Sequence, residues 1–165
     1  YYISRSTNDY LLPNVRHILI SVSDTSDETA MEEARAKADE ILAEFNAGDK
    51  TAESFGELAK ENTGDSNGDE GGLYENIMPG QMVTEFNDWC FDESRQPGDT
   101  GIVKTSYGYH IMYFSSTGEH AYWYVRAEED YLNELSVSVL QEVAAKFEAT
   151  ESEQNAAIVD IMQQN

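Results

Sequence analysis

The sequence predicts an α+β domain, and three observations carry the prediction. Residues 15–22, Val-Arg-His-Ile-Leu-Ile-Ser-Val, are a β-branched run of strand length. Met31, Ala34, Ala38, Ile41, Leu42 and Phe45 then recur at helical spacing. Two further strand-like runs, 100–104 and 109–115, close the unit around Gly108. Strands interleaved with helices of this size give one compact unit over residues 14–117.

Composition bounds what such a unit does. The 165 residues carry Lys+Arg 10 against Asp+Glu 32, a formal net charge of −22, with hydrophobic residues at 40% and charged residues at 25%. These are globular proportions, enough to bury a core. The acidic excess argues against nucleic acid or an anionic membrane as partner, because phosphates are repelled. The sequence lacks an apolar run of bilayer-spanning length, so a stable membrane span is not expected. A single cysteine, Cys90, excludes an intrachain disulfide and a cysteine-based structural zinc site. Acidity and cysteine poverty point to an extracytoplasmic bacterial setting. The opening Tyr1-Tyr2, without Met, reads as a trimmed chain whose signal or anchor segment lies elsewhere.

Each element has its own local argument. Residues 1–13 are a polar and aromatic lead-in. The strand at 15–22 leads into an acidic loop, in which Thr25 and Glu28 stand at capping-box spacing. The long helix follows and Gly48 closes it. A shorter helix is expected over 53–61, with Phe55, Leu58 and Ala59 on one face. Residues 63–72 are turn formers, 73–77 a short strand, and Pro79-Gly80 a turn. Met82, Phe86, Cys90 and Phe91 mark another helix, ended before Pro97-Gly98. Over 118–165, Leu132, Leu135, Val139, Val143 and Phe147 mark a helical extension starting near Trp123. After it, 151–155 is polar and 156–163 has no clear form. One amphipathic helix cannot bury its stripe alone, so it is expected on the domain, on the lead-in, or on a second copy as a dimer.

Few side chains carry obvious chemistry. His17 and His110 lie within the first and last strands of the unit, where a histidine is ordinarily a hydrogen-bonded core residue. Two of them on one small sheet raise the prospect of a meeting. As a zinc pair they lack a third ligand, and no metal is expected. Asp65, Asn67 and Asp69 alternate like a calcium loop, but Glu70 and Asn76 stand where that template demands Gly and Glu. Cys90, between Trp89 and Phe91, reads as a packed, inert thiol. Met82 and Phe86, at i and i+4, read by spacing as core.

The order of the motifs says more. Arg16-His17-Ile18-Leu19-Ile20 opens the unit, and Phe55-Gly56-Glu57-Leu58-Ala59 follows the long helix. Then come Asp65-Ser66, Gly71-Gly72, Gly80-Gln81-Met82, Phe86 and Tyr107-Gly108-Tyr109-His110-Ile111. This series, over about 15–116, closely resembles the parvulin family of peptidyl-prolyl cis–trans isomerases.

The resemblance implies a four-stranded, mostly antiparallel sheet surrounded by helices, with a cleft on one sheet face. It implies catalytic roles for His17, Asp65 and His110, and substrate contacts from Tyr74, Met82, Phe86 and Thr105. It implies no cofactor, since no covalent bond is broken, and unfolded or proline-containing polypeptides as clients. The helical tail is similar to the accessory region around the parvulin domain of extracellular foldases. Two departures stand out. Gly71-Gly72-Leu73-Tyr74-Glu75 replaces the family's usual Gly-Gly-Asp-Leu-Gly, putting Tyr74 at the pocket edge. The loop at 23–28 has no Lys or Arg, so selection of phosphorylated substrates is not expected.

Overall fold

Two long strands organise the chain. The computed structural model describes residues 9–163, and the side chains of 9–146. In it β1 (Leu11–Ser21) and β4 (Gly108–Ala121) pair antiparallel, with Ile18 opposite Ile111. β2 (Leu73–Tyr74) flanks β1 and β3 (Thr100–Thr105) flanks β4, giving the antiparallel order β2-β1-β4-β3. Both central strands outrun their expected ends. β1 begins at Leu11 and takes in Pro13, where register shifts on either side accommodate a residue that has no N–H to give the ladder. The strand expected over 73–77 stops at Tyr74. Asn76 takes a positive φ of 50°, its N–H goes to the Asn14 side chain, and the chain leaves the sheet.

Alternation along the strands sorts side chains between two layers. On one face Ile18, Ile111 and Tyr113 pack against α1 (Glu28–Ala47) and α2 (Ala52–Asn62) through Ala38, Ile41, Phe45, Phe55 and Ala59. Phe55 stacks on Tyr113, and Phe45 meets both rings edge-on. On the other face Val15, Met112 and Phe114 pack against Ile77 and α3 (Thr84–Cys90) through Phe86, Trp89 and Cys90.

The start of α1 differs from the expected capping box. Asp27, not Thr25, is the N-cap, and its Oδ1 accepts from the N–H groups of Thr29 and Ala30. A carboxylate is the stronger acceptor and suits the positive helix end. The capping box belongs instead to α2, where Thr51 and Ser54 bond each other's backbone N–H. α3 is shorter than expected, and Met82 precedes it rather than riding on it.

The described residues fall into two compact units, 9–122 and a second that begins at Trp123. α4 (Tyr122–Gln163) is one continuous helix of 42 residues that takes in 151–163. Leu132, Leu135, Val139 and Val143 are exposed on it, as are Tyr131, Val137 and Leu140. The Phe147 side chain and residues 1–8 of the lead-in lie outside what is described. Among the described residues no helix is long and apolar enough to cross a membrane.

Candidate active site

The face that carries α3 also carries a polar row. Val15 stands opposite Tyr74, His17 opposite Met112, Leu19 opposite His110, Val103 opposite His110, and Thr105 opposite Gly108. Tyr74, His17, His110 and Thr105 therefore lie on one diagonal, one residue per strand across all four strands. Diagonal neighbours on a sheet face are within reach of ring side chains. His17 Nδ1 and His110 Nδ1 are 3.1 Å apart, and His110 Nε2 is 3.0 Å from Thr105 Oγ1. Tyr74 stacks on His17 from one side, with centroids 5.4 Å apart, and His110 from the other, at 5.2 Å.

Asp65 joins this row from the loop after α2. Thr63 and Gly64 clamp the loop to β1: Thr63 Oγ1 accepts from the Leu19 N–H, and the Gly64 N–H donates to the Leu19 carbonyl. Farther along, Arg16 Nη1 donates to the carbonyls of Glu70 and Gly71. Gly72 crosses β1 so closely that a Cβ would lie 2.1 Å from the His17 carbonyl oxygen, and its φ is +67°. Held this way, Asp65 Oδ2 lies 2.8 Å from His17 Nε2, at ion-pair distance though without in-line hydrogen-bond geometry. The Tyr74 phenol donates to the same oxygen at 3.2 Å, and the Ser66 N–H donates to Oδ1 at 2.7 Å. Thr63, Gly64 and Arg16 escape spacing arguments because their partners are backbone groups brought near only by folding.

Proton positions follow from the two ends of the row. An ionised Asp65 only accepts, so His17 carries its proton on Nε2. A neutral His17 then has a bare Nδ1, which accepts from His110 Nδ1–H. His110 in turn has a bare Nε2, which accepts the Thr105 hydroxyl, while Thr105 Oγ1 accepts from the Tyr107 N–H. Each bond from the Tyr107 N–H to His17 Nδ1 is then directed towards the Asp65 end.

The charge states agree with this reading. Burial pushes the His17 pKa down, and Asp65 only partly offsets it. Burial pushes His110 down to about 4, helped by His17. Burial alone would raise Asp65, but the Ser66 N–H, His17 and the Tyr74 phenol outweigh it and hold the carboxyl below its usual range. Near neutrality the pair is uncharged and Asp65 is an anion.

Apolar groups surround the polar row. Phe86 is buried and turns its ring edge-on to both histidines, at 5.2 and 5.5 Å. Met82 is half-buried and packs on the same cluster. Cys90 packs beneath this layer, 3% exposed, and burial pushes its thiol up to about 12, so it stays protonated and inert. The fold thus brings together all seven residues singled out in the sequence.

Comparison with known proteins agrees with this architecture. Residues 2–116 match the family described as the PPIC-type PPIase domain. The chain is 32% identical over 99 residues to foldase protein PrsA 1 of Listeria innocua, covering 59% of this chain and 28% of that protein. It is 36% identical over 100 residues to foldase protein PrsA of Staphylococcus epidermidis, covering 58% of this chain and 30% of that one. Both relatives are thus matched over less than a third of their own length. Among solved structures, the peptidylprolyl isomerase PrsA of Bacillus cereus aligns with a TM-score of 0.52 at 27% identity, over 81% of this chain and 45% of that one. With its fold, its motif series and most of its length in agreement, the chain belongs to the PPIC-type, or parvulin, family of peptidyl-prolyl cis–trans isomerase domains.

Proposed function

We propose that this chain catalyses rotation about X-Pro peptide bonds without covalent chemistry, and that it assists the folding of polypeptide clients outside the cytoplasm. The observation that carries the reading is the Tyr74–His17–His110–Thr105 diagonal, ended by Asp65 and bordered by Met82 and Phe86. The similarity to foldases supports the extracytoplasmic setting, with 14–117 as the isomerase unit and 1–13 and 118–165 as an accessory region.

Rotation about a peptide bond faces a barrier of about 18–20 kcal/mol, and each ~1.4 kcal/mol removed is tenfold in rate. A catalyst need only hold the twisted amide better than either planar form. Met82 and Phe86 would grip the proline ring and strip water from the amide. The uncharged histidine pair gives a polar floor without the desolvation cost of a buried charge. The loop at 23–28 would repel phosphate, so unphosphorylated bonds are the expected substrates.

A second reading, a client-binding module with weak catalysis, draws on Tyr74. It stands where the family usually has an apolar residue, and its ring covers His17. A protease-free isomerisation assay separates the two. Native chain should accelerate unphosphorylated X-Pro peptides over their phosphorylated forms. Folded His17→Ala and Met82→Ala should each lose about tenfold or more. A folded native chain that accelerates no peptide across several X residues would leave only the binding module.

A further inference from the structure

Asp65 already holds three hydrogen bonds and an ion-pair contact before any substrate arrives. A carboxylate offers about four lone-pair directions. Oδ1 takes the Ser66 N–H at 2.7 Å and the Ser66 hydroxyl at 3.4 Å, while Oδ2 faces His17 Nε2 and the Tyr74 phenol. Among these partners Tyr74 is the one the family's usual sequence would not supply. Its ring also lies over His17, which is 1% exposed.

We infer that Tyr74 is a positioning residue: its phenol fixes Asp65 as the anionic end of the row, so that Asp65 acts through His17 and not on the substrate carbonyl. This rests on the isomerase reading. Protonating Asp65 would remove the anion that faces His17 Nε2 and with it what anchors the direction of the row. A phenol donating to Oδ2 favours the ionised carboxylate and opposes that loss. The other ionisable groups acting on this corner are His17 from β1, His110 from β4, and Glu70, whose charge bears on Tyr74 from the 3-10 turn at Gly68–Glu70. Arg16 is committed to the Glu70 and Gly71 carbonyls.

The test is an NMR pH titration of the Asp65 carboxyl and the imidazole nitrogens in native, Tyr74→Phe and Tyr74→Leu proteins, alongside pH profiles of isomerisation. Removing the phenol alone should move the Asp65 titration upward by about one pH unit. The acid limb of kcat should follow. Tyr74→Leu should show the same shift and also a raised KM, because the ring is lost. An Asp65 titration in Tyr74→Phe that overlays the native curve overturns the inference. So does a shift seen in Tyr74→Leu alone, which would assign the effect to ring burial. A native chain without isomerase activity would defeat the functional reading, while the titration still decides the role of Tyr74.

Discussion

At the scale of single residues, one glycine and one threonine do as much for the site as the side chains that compose it. Gly72 lets the loop come close enough for its carbonyl to accept from the His17 N–H at 2.9 Å, just before β2 begins. Gly72→Ala would face both the left-handed φ and a 2.1 Å clash with backbone. It should cost at least about 2 kcal/mol in urea unfolding, or prevent folding, whereas a loss under about 0.5 kcal/mol would show that the crossing relaxes freely. Thr63 works by a different route. Its one hydroxyl oxygen accepts from both Leu19 and Asp65 N–H groups, so it ties the loop to β1 at the point where Asp65 must turn towards His17.

Among the elements, α1 is where sequence spacing and structure part. Thr25 and Glu28 fit a capping-box pattern, yet Asp27 sits one residue before the helix and takes the role. Patterns of this kind specify that a cap exists within a few residues, while the backbone path of the preceding loop picks the acceptor. In this loop Asp24 bonds the Ser26 N–H and hydroxyl, forming the turn that presents Asp27. Asp27→Ala should therefore cost about 1 kcal/mol, and Thr25→Ala less than about 0.5. Chemical denaturation of the two variants checks this, and a reversed order would restore the expected capping box. β2 shows the same limit. An apolar run at 73–77 cannot reveal that Asn76 will bend out of the sheet to meet Asn14.

For the whole molecule the buried histidines set the response to acid. His110 is held at about 4 and His17 below its ordinary value, so the unfolded chain binds protons at a higher pH than the folded one. Their contribution to stability is complete above about pH 6.5 and falls as pH drops towards 4, by roughly 3 kcal/mol from His110 alone. Asp65, held low in the folded chain, adds stability above about pH 4 that is lost on further acidification. Thermal unfolding between pH 7.5 and 4.5 should show Tm falling more steeply in native protein than in His110→Phe, and parallel profiles would count against the histidine term.

The sequence alone determined the alternation of strand and helix, the buried faces of α1 and α2 and the candidates for the site, because hydrophobic periodicity and motif order are local properties of a chain. It also held the departure at Tyr74 in plain view. Only the tertiary structure decided that Tyr74, His17, His110 and Thr105 share one diagonal, since strand register depends on residues far apart in the chain. The same holds for the direction of the hydrogen bonds in the row. That direction depends on Asp65 being an anion, and its ionisation is set by neighbours from two strands and a loop that only the folded chain brings within hydrogen-bonding distance.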